Sequence, residues 1–286
     1  RETAMPEPIL LAPLDGWAAP LREVPDSAFA DRLVGTGLAI DPTSSTLLAP
    51  CDGEILSVAK TGHAITLRTV SGAEILMHVG IDTMALNGEG FTALVTANQA
   101  VRQGDPLLSF DIDALAYRAP SLITPIILLN GDQFEIREYQ VNRRILAGEP
   151  LLRIASKAAA APLTPFDPDL QVETELGVGL PHGIHARPAA RIVNELRAFA
   201  ATVTLSTSTA SAVPASSMSR LMGLGIEHGD RVRIRATGKD AHAALSALID
   251  ILSSQVVEAE IAPAVIRVRP EASATLPANC FAGVTA

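Results

Sequence analysis

TGHAITLRTVSGAEILMHVGIDT, residues 61–83, is the stretch whose reading decides the fold. Two runs of apolar and β-branched residues, AITLRTV and AEILMHV, flank Ser71 and Gly72, which suit a tight turn, so the segment is predicted to be a β-hairpin. Antiparallel pairing across that turn brings His63, eight residues before Ser71, and His78, six residues after Gly72, to the same end. Two imidazoles held together can act as nucleophile and stabiliser of one phosphoryl group, or as two ligands of a zinc ion. Thr61 is placed to orient one ring through its hydroxyl, and Asp82 to supply charge or a partner contact at the rim.

On either side of the hairpin, strand-sized pieces alternate with Gly, Pro, Asn and Asp: ILLAP, GLAID, TLLAP, EILSVA, PLLSFD, LITPIILL and PLLRI. That spacing predicts an all-β sandwich or barrel over residues 1–154. LAPLDG at 11–16 returns as LAPCDG at 48–53, and GDPLL at 104–108 returns as GEPLL at 148–152. These echoes mark equivalent turns of a duplicated β unit, with too few copies for a solenoid. Residues 155–169, ASKAAAAPLTPFDPD, lack periodicity and read as an Ala/Pro-rich linker.

After the linker the pattern changes. A strand VETELGV precedes a helix RPAARIVNELRAFA, with Ile192, Val193, Leu196 and Phe199 on one face. Strand ATVTLST, a short segment at SAV, helix SSMSRLMGLG, strand RVRIRAT and helix DAHAALSALIDILSS follow, the last with Asp240 as its expected cap. The order β-α-β-β-α-β-α predicts an α+β open-faced sandwich over residues 170–256. Residues 257–286 read as a second linker, leading toward a further domain.

Within this second module His185 stands in GIHARPAARIV, at or just before the N-cap of a helix with Pro188 in its first turn. Free first-turn N–H groups and the positive end of the helix dipole favour an anion there. A cationic imidazole gains nothing at that place, whereas a phosphorylated one gains charge-assisted hydrogen bonds. Arg187 and Arg220 could add guanidinium contacts to the phosphoryl oxygens. Ser217, at the start of the next helix, reads as an ordinary N-cap. His182, His228 and His242 read as surface residues.

Composition narrows the function class. The chain of 286 residues carries a net charge of −9, and 48% of it is hydrophobic but only 3% aromatic. Residues 1–154 hold 11 Lys and Arg against 19 Asp and Glu, a net of −8; residues 170–254 hold 8 against 7, a net of +1. Nucleic-acid binding wants a basic footprint that is missing here. No apolar run is long enough to span a bilayer and no signal peptide opens the chain, which suggests a cytoplasmic protein. Cys51 and Cys280, far apart and outside any CxxC pattern, read as free thiols.

GIHARPAARIV together with SSMSRLMGLGIEHGD closely resembles the histidine-containing phosphocarrier protein, HPr, of the bacterial sugar phosphotransferase system, over roughly residues 170–254. That resemblance implies that His185 is the phosphorylated residue and Arg187 its phosphate partner. In that family a regulatory serine aligns with Ser217, although Ser216 stands here where many relatives carry lysine. Residues 1–154 resemble the glucose-type enzyme IIA domain of the same system through LAPLDG, EVPD, GTGLAIDPT, LLAPCDG, the GHAI and MHVGIDT pair, FTALV, GDPLLSFD and SLITPIILLN. The family implies that His78 receives the phosphoryl group and His63 assists. Gly62 and Ile65 depart from the Asn and Phe often found there.

The terminal FAGVTA resembles the entry into enzyme I. The resemblances imply a relay in phosphoenolpyruvate-dependent sugar uptake: enzyme I, fused or separate, to His185, to His78, to the membrane IIB/IIC permease of the glucose or N-acetylglucosamine class. Transfer between two histidines needs no metal, and Mg2+ would enter only with an attached enzyme I domain. The alternatives are a zinc-dependent peptidase-like module, for which MHVG lacks the His-x-His pair, and a regulatory binding module.

Overall fold

The computed structural model describes residues 9–157 and 171–254. The first module runs β1 (Ile9–Leu11), β2 (Gly16–Pro20), a 3-10 turn at Leu21–Glu23, α1 (Ser27–Ala30), β3 (Thr36–Pro42), β4 (Thr46–Leu48), β5 (Gly53–Val58), β6 (Ala64–Thr69) and β7 (Glu74–His78). It continues through a 3-10 turn at Thr83–Leu86, β8 (Phe91–Ala93), β9 (Ala100–Val101), β10 (Pro106–Phe110), α2 (Ile112–Ala116), β11 (Thr124–Leu128), β12 (Phe134–Tyr139), β13 (Arg143–Ile145) and β14 (Pro150–Ser156). The second module is β15 (Gln171–Gly177), α3 (Ala186–Leu196), β16 (Thr202–Ser206), β17 (Val213–Pro214), α4 (Met218–Gly223), β18 (Arg231–Thr237) and α5 (Ala241–Ser253). The expected β sandwich followed by an α+β open-faced sandwich is what forms.

An eight-stranded sheet, ordered β13-β2-β3-β11-β7-β6-β5-β9, dominates the first module. Two three-stranded sheets, β1-β14-β12 and β4-β10-β8, lie across one of its faces. Leu10, Leu152 and Ile154 from the one, Leu47, Leu108 and Phe110 from the other, close a core with Leu38, Ile65, Leu67, Met77 and Ile126 of the large sheet. The hairpin is in the expected register: Ala64 opposes His78 and Arg68 opposes Glu74, which centres the turn on Ser71.

Successive residues of the central strands are apolar on both faces. Leu38, Ile75, Met77, Ile126 and Leu128 point into the sandwich, while Ala39, Leu76 and Ile127 point out of it. Period-2 alternation forces this division. The outward set is nevertheless buried, in one apolar cluster with Leu21, Val24, Phe29 and Val34 of the first module and with residues of the second such as Ile192, Val193 and Leu221. Strands that read as unbroken apolar runs, such as PIIL and EILM, are those covered from both sides.

The second module's sheet is ordered β15-β18-β16-β17, with α3 and α5 packed against each other over it. Its open face is ruled by cross-strand ion pairs, Arg231 with Glu175 and Arg233 and Arg235 with Glu173.

Two boundaries differ from expectation. The last strand of the first module reaches Ser156, with Ala155 buried opposite Glu135, so residues 155 and 156 belong to the sheet and not to the linker. A small apolar residue leading into a run of alanines hides that ending. Helix α3 stops at Leu196, and Phe199 packs from the following turn. Residues 158–169 of the linker, the segment 257–286 and Cys280 lie outside the described residues. Cys51 is a free, buried thiol, pushed up to about 12 chiefly by burial.

Candidate active site

His78 closes β7, and the chain then turns through Gly80 at φ +72. A side chain on Gly80 would lie 2.6 Å from Thr83 Cγ2, so glycine is required for the turn. The turn aims the Gly80 carbonyl back at the ring, 2.8 Å from His78 Nδ1. A carbonyl only accepts, so Nδ1 carries the proton and Nε2 holds the free lone pair. Burial lowers the pKa of His78 below its ordinary 6.5, with a smaller lowering from Arg187 and opposing contributions from the Gly80 carbonyl, Asp26 and Asp82.

His63 sits just before β6, and its carbonyl accepts from the Val79 N–H, which ties it to the end of β7. Its ring is edge-on to that of His78, with centroids 4.7 Å apart at 73°. Thr61 Oγ1 is 2.6 Å from His63 Nδ1, fixing the ring as the sequence suggested. His63 is only 5% exposed, and its pKa falls well below 6.5 through burial first, then through His78 and His185. Both rings therefore stay neutral and nucleophilic at neutral pH. Phe29 covers the other side of His78, with ring centroids 5.4 Å apart.

His185 is the N-cap of α3, with φ −108° and ψ −166° and no side-chain capping bond. Its carbonyl accepts from Ala189, so the helix is closed without its imidazole. Gly183, at φ +67, lets the preceding loop pass the Ile226 carbonyl, which a Cβ would meet at 1.9 Å. Arg187, one residue into the helix, reaches across to the first module. Its guanidinium donates to Asp26 through both Nε, at 3.0 Å, and Nη2, and to Asp82 Oδ1 at 2.9 Å. Asp26 also caps α1 by accepting from Ala28 N–H at 2.8 Å. Its side chain is 3% exposed, so this is a shielded pair in which Nε and Nη2 share the single oxygen Oδ2 while Oδ1 caps α1. One surface therefore gathers His63, His78, His185, Arg187, Asp26 and Asp82.

Arg220, on the last turn of α4, is exposed and forms no ion pair among the described residues. Ser217 is the N-cap of α4 but makes no side-chain cap bond; its Oγ lies 3.3 Å from that of Ser219. His182, His228 and His242 are exposed, as expected. Ile65 is fully buried in the sandwich, so its departure from phenylalanine changes core packing and leaves the partner face untouched. Sequence reasoning did not single out Asp26, Phe29 or the cross-module role of Asp82. EVPD, at 23–26, carried the signal for Asp26, since an aspartate preceding SAFA is a helix cap with a second oxygen to spare. A zinc centre takes three or four protein donors, and among the described residues no group of three or more His, Cys, Asp or Glu is assembled to hold a metal.

A pair of buried, neutral imidazoles on the first module, His63 and His78, lies on the same surface as His185 and the Arg187 guanidinium of the second, an arrangement suited to carrying a phosphoryl group on nitrogen. Residues 9–134 match the family model of the phosphoenolpyruvate-dependent sugar phosphotransferase system, EIIA 1, and residues 172–254 that of the PTS HPr component phosphorylation site. The chain is 46% identical over 129 residues to the glucose-specific EIIA component of Bacillus cereus, covering 45% of this chain and 78% of that protein. It is 49% identical over 125 residues to the mannose-specific EIIBCA component of Corynebacterium glutamicum, covering 44% of this chain and 18% of that one. With the N-acetylglucosamine-specific EIICBA component of Klebsiella pneumoniae it shares 40% over 149 residues, 52% of this chain and 23% of that one. The chain thus spans under a quarter of the multidomain relatives. It belongs to the EIIA family of the sugar phosphotransferase system, joined to an HPr component, and is a phosphotransferase component working through phosphohistidine.

Proposed function

We propose that the chain runs a two-step internal relay: His185 takes a phosphoryl group from enzyme I and passes it to His78, which gives it to a membrane IIB/IIC sugar permease. The observation that carries this reading is Arg187 seated between Asp26 and Asp82, which sets His185 beside the His63–His78 pair. In the internal step the N–P bond at His185 breaks, its electron pair returns to the imidazole, and His78 Nε2 forms the new N–P bond. The Nδ1 proton of His78 stays in place, and the Gly80 carbonyl stabilises the positive charge that the ring acquires. His63 faces the transferred group as its stabiliser, oriented by Thr61, while Arg187 draws on its phosphoryl oxygens. Catalysis is positioning and charge neutralisation, and no metal is required for it. Mg2+ belongs with enzyme I, whether that enzyme is separate or follows on the same polypeptide. Arg220 would supply longer-range positive charge.

The permease is of the glucose or N-acetylglucosamine class, the cytoplasm is the compartment in which all these donors and acceptors meet, and no nucleic acid takes part. Among the described residues no helix is long and apolar enough to cross a membrane. Labelling from phosphoenolpyruvate and enzyme I, with acid-labile phosphate mapped by mass spectrometry, tests the relay. His185→Ala should leave both modules unlabelled, and His78→Ala should hold label on His185 alone. His63→Ala should accept label on His78 yet discharge it slowly to the permease. Label on His78 in the His185→Ala chain would overturn the order of transfer.

A further inference from the structure

Two contacts between the modules lie away from the reacting imidazoles, on the α4 side of the interface. Lys60, on the turn entering the hairpin, pairs with Glu227 in the loop after α4. The Ser219 hydroxyl of α4 donates to Glu74 at the start of β7. Neither pair touches a ring nitrogen of His63 or His78.

The polarity of the first pair is informative. The β module is strongly acidic and the α+β module slightly basic, so general attraction sets acidic groups of the first against basic groups of the second. Arg187 with Asp26 and Asp82 follows that rule, whereas Lys60 with Glu227 reverses it. A carrier drawn in by net charge alone would present a neutral or basic residue to Lys60 and meet no partner, or a repulsion. The second pair works by shielding. Ser219 is 2% exposed and the Glu74 side chain 13%, so a carrier lacking a small donor there would leave the carboxylate short of a hydrogen bond or fail to close over it.

We propose that Lys60 with Glu227, and Glu74 with Ser219, are specificity determinants of the transfer, by which the β module selects the α+β module of its own chain over other phosphocarriers. The proposal rests on the relay described above. Lys60 and Glu227 are well exposed, so their attraction is screened and their substitution leaves the fold intact.

A double-mutant cycle on the full chain, loaded on His185 and followed by rapid quench as label moves to His78, tests it. At low salt Lys60→Glu and Glu227→Lys should each slow transfer about three- to fivefold, and the combined swap should return it to within about twofold of the parent. Ser219→Ala, which retains the helix, should slow transfer about tenfold. Additive losses in the double variant, or single variants that transfer at the parental rate, would overturn the proposal while the relay stands. A parental chain that keeps label on His185 and never passes it to His78 would overturn the relay, and this proposal with it.

Discussion

At the scale of single residues, the site depends on keeping two imidazoles neutral. Both His63 and His78 have pKa values lowered from 6.5, His63 more strongly, with burial as the leading cause. In the unfolded chain the same rings take up protons near 6.5. The unfolded state therefore binds more protons as pH falls through 6.5, and stability is lost progressively from around that pH down to the folded values. A His63→Gln chain should show a flatter fall of Tm below pH 6.5 than its parent, as read by thermal melts across that range. His78 should likewise still accept phosphoryl groups at pH 6.5, because its lowered pKa keeps the Nε2 lone pair free there; a transfer rate that halves at 6.5 or above would refute the assignment. Thr61 acts only through His63, at 2.6 Å. Thr61→Val, isosteric but without the hydroxyl, should slow discharge from His78 about fivefold, and Thr61→Ser should restore it, in step with the imidazole nitrogen shifts of His63 measured by NMR.

Among elements, β11 separates two kinds of packing within adjacent residues. Ile126 is 1% exposed and faces the sandwich core, whereas Ile127 is fully buried in the other apolar cluster, the one that both modules share. Truncating either to Ala should destabilise by about 2–4 kcal/mol. Only Ile127→Ala should also slow transfer from His185 to His78, since only that side chain belongs to the cluster shared with the docked module; equal slowing by Ile126→Ala would remove the distinction. The same strand shows how far the sequence could be read. Alternation, turn residues and the position of Ser71 were enough to place the hairpin, its register and both imidazoles at one end. The order of elements in the second module followed from periodicity and caps. What escaped was long-range. An Asp of EVPD and an Arg of GIHARP, 161 residues apart, meet only where the outer apolar side of the sheet and the second module join in one cluster. Continuous apolar runs hinted that something covers that face, but a run cannot name its cover.

For the molecule as a whole, docking joins the two reacting faces and also closes them to others. Asp26 has a side chain 3% exposed and His63 is 5% exposed, both beneath the second module, and Arg187 is engaged by the first. In the proposed relay enzyme I approaches His185, and the permease approaches His78, over the same surfaces. A chain held shut should therefore perform the middle step of the relay and neither outer step. The Asn194 side chain of α3 donates to the Leu33 carbonyl at 3.1 Å, so cysteines placed at 33 and 194 can be bridged by a short bifunctional thiol reagent. Cys51 will not compete, because its thiol is buried and pushed up to about 12, and Cys280→Ser removes the remaining background. Loaded on His185 before bridging, the locked chain should still move label to His78. Bridged first, it should take up label from enzyme I at least about tenfold more slowly than the untreated chain, and label already on His78 should not pass to the permease until the bridge is cleaved. Loading of the locked chain at the untreated rate would show that the donor reaches His185 without parting the modules.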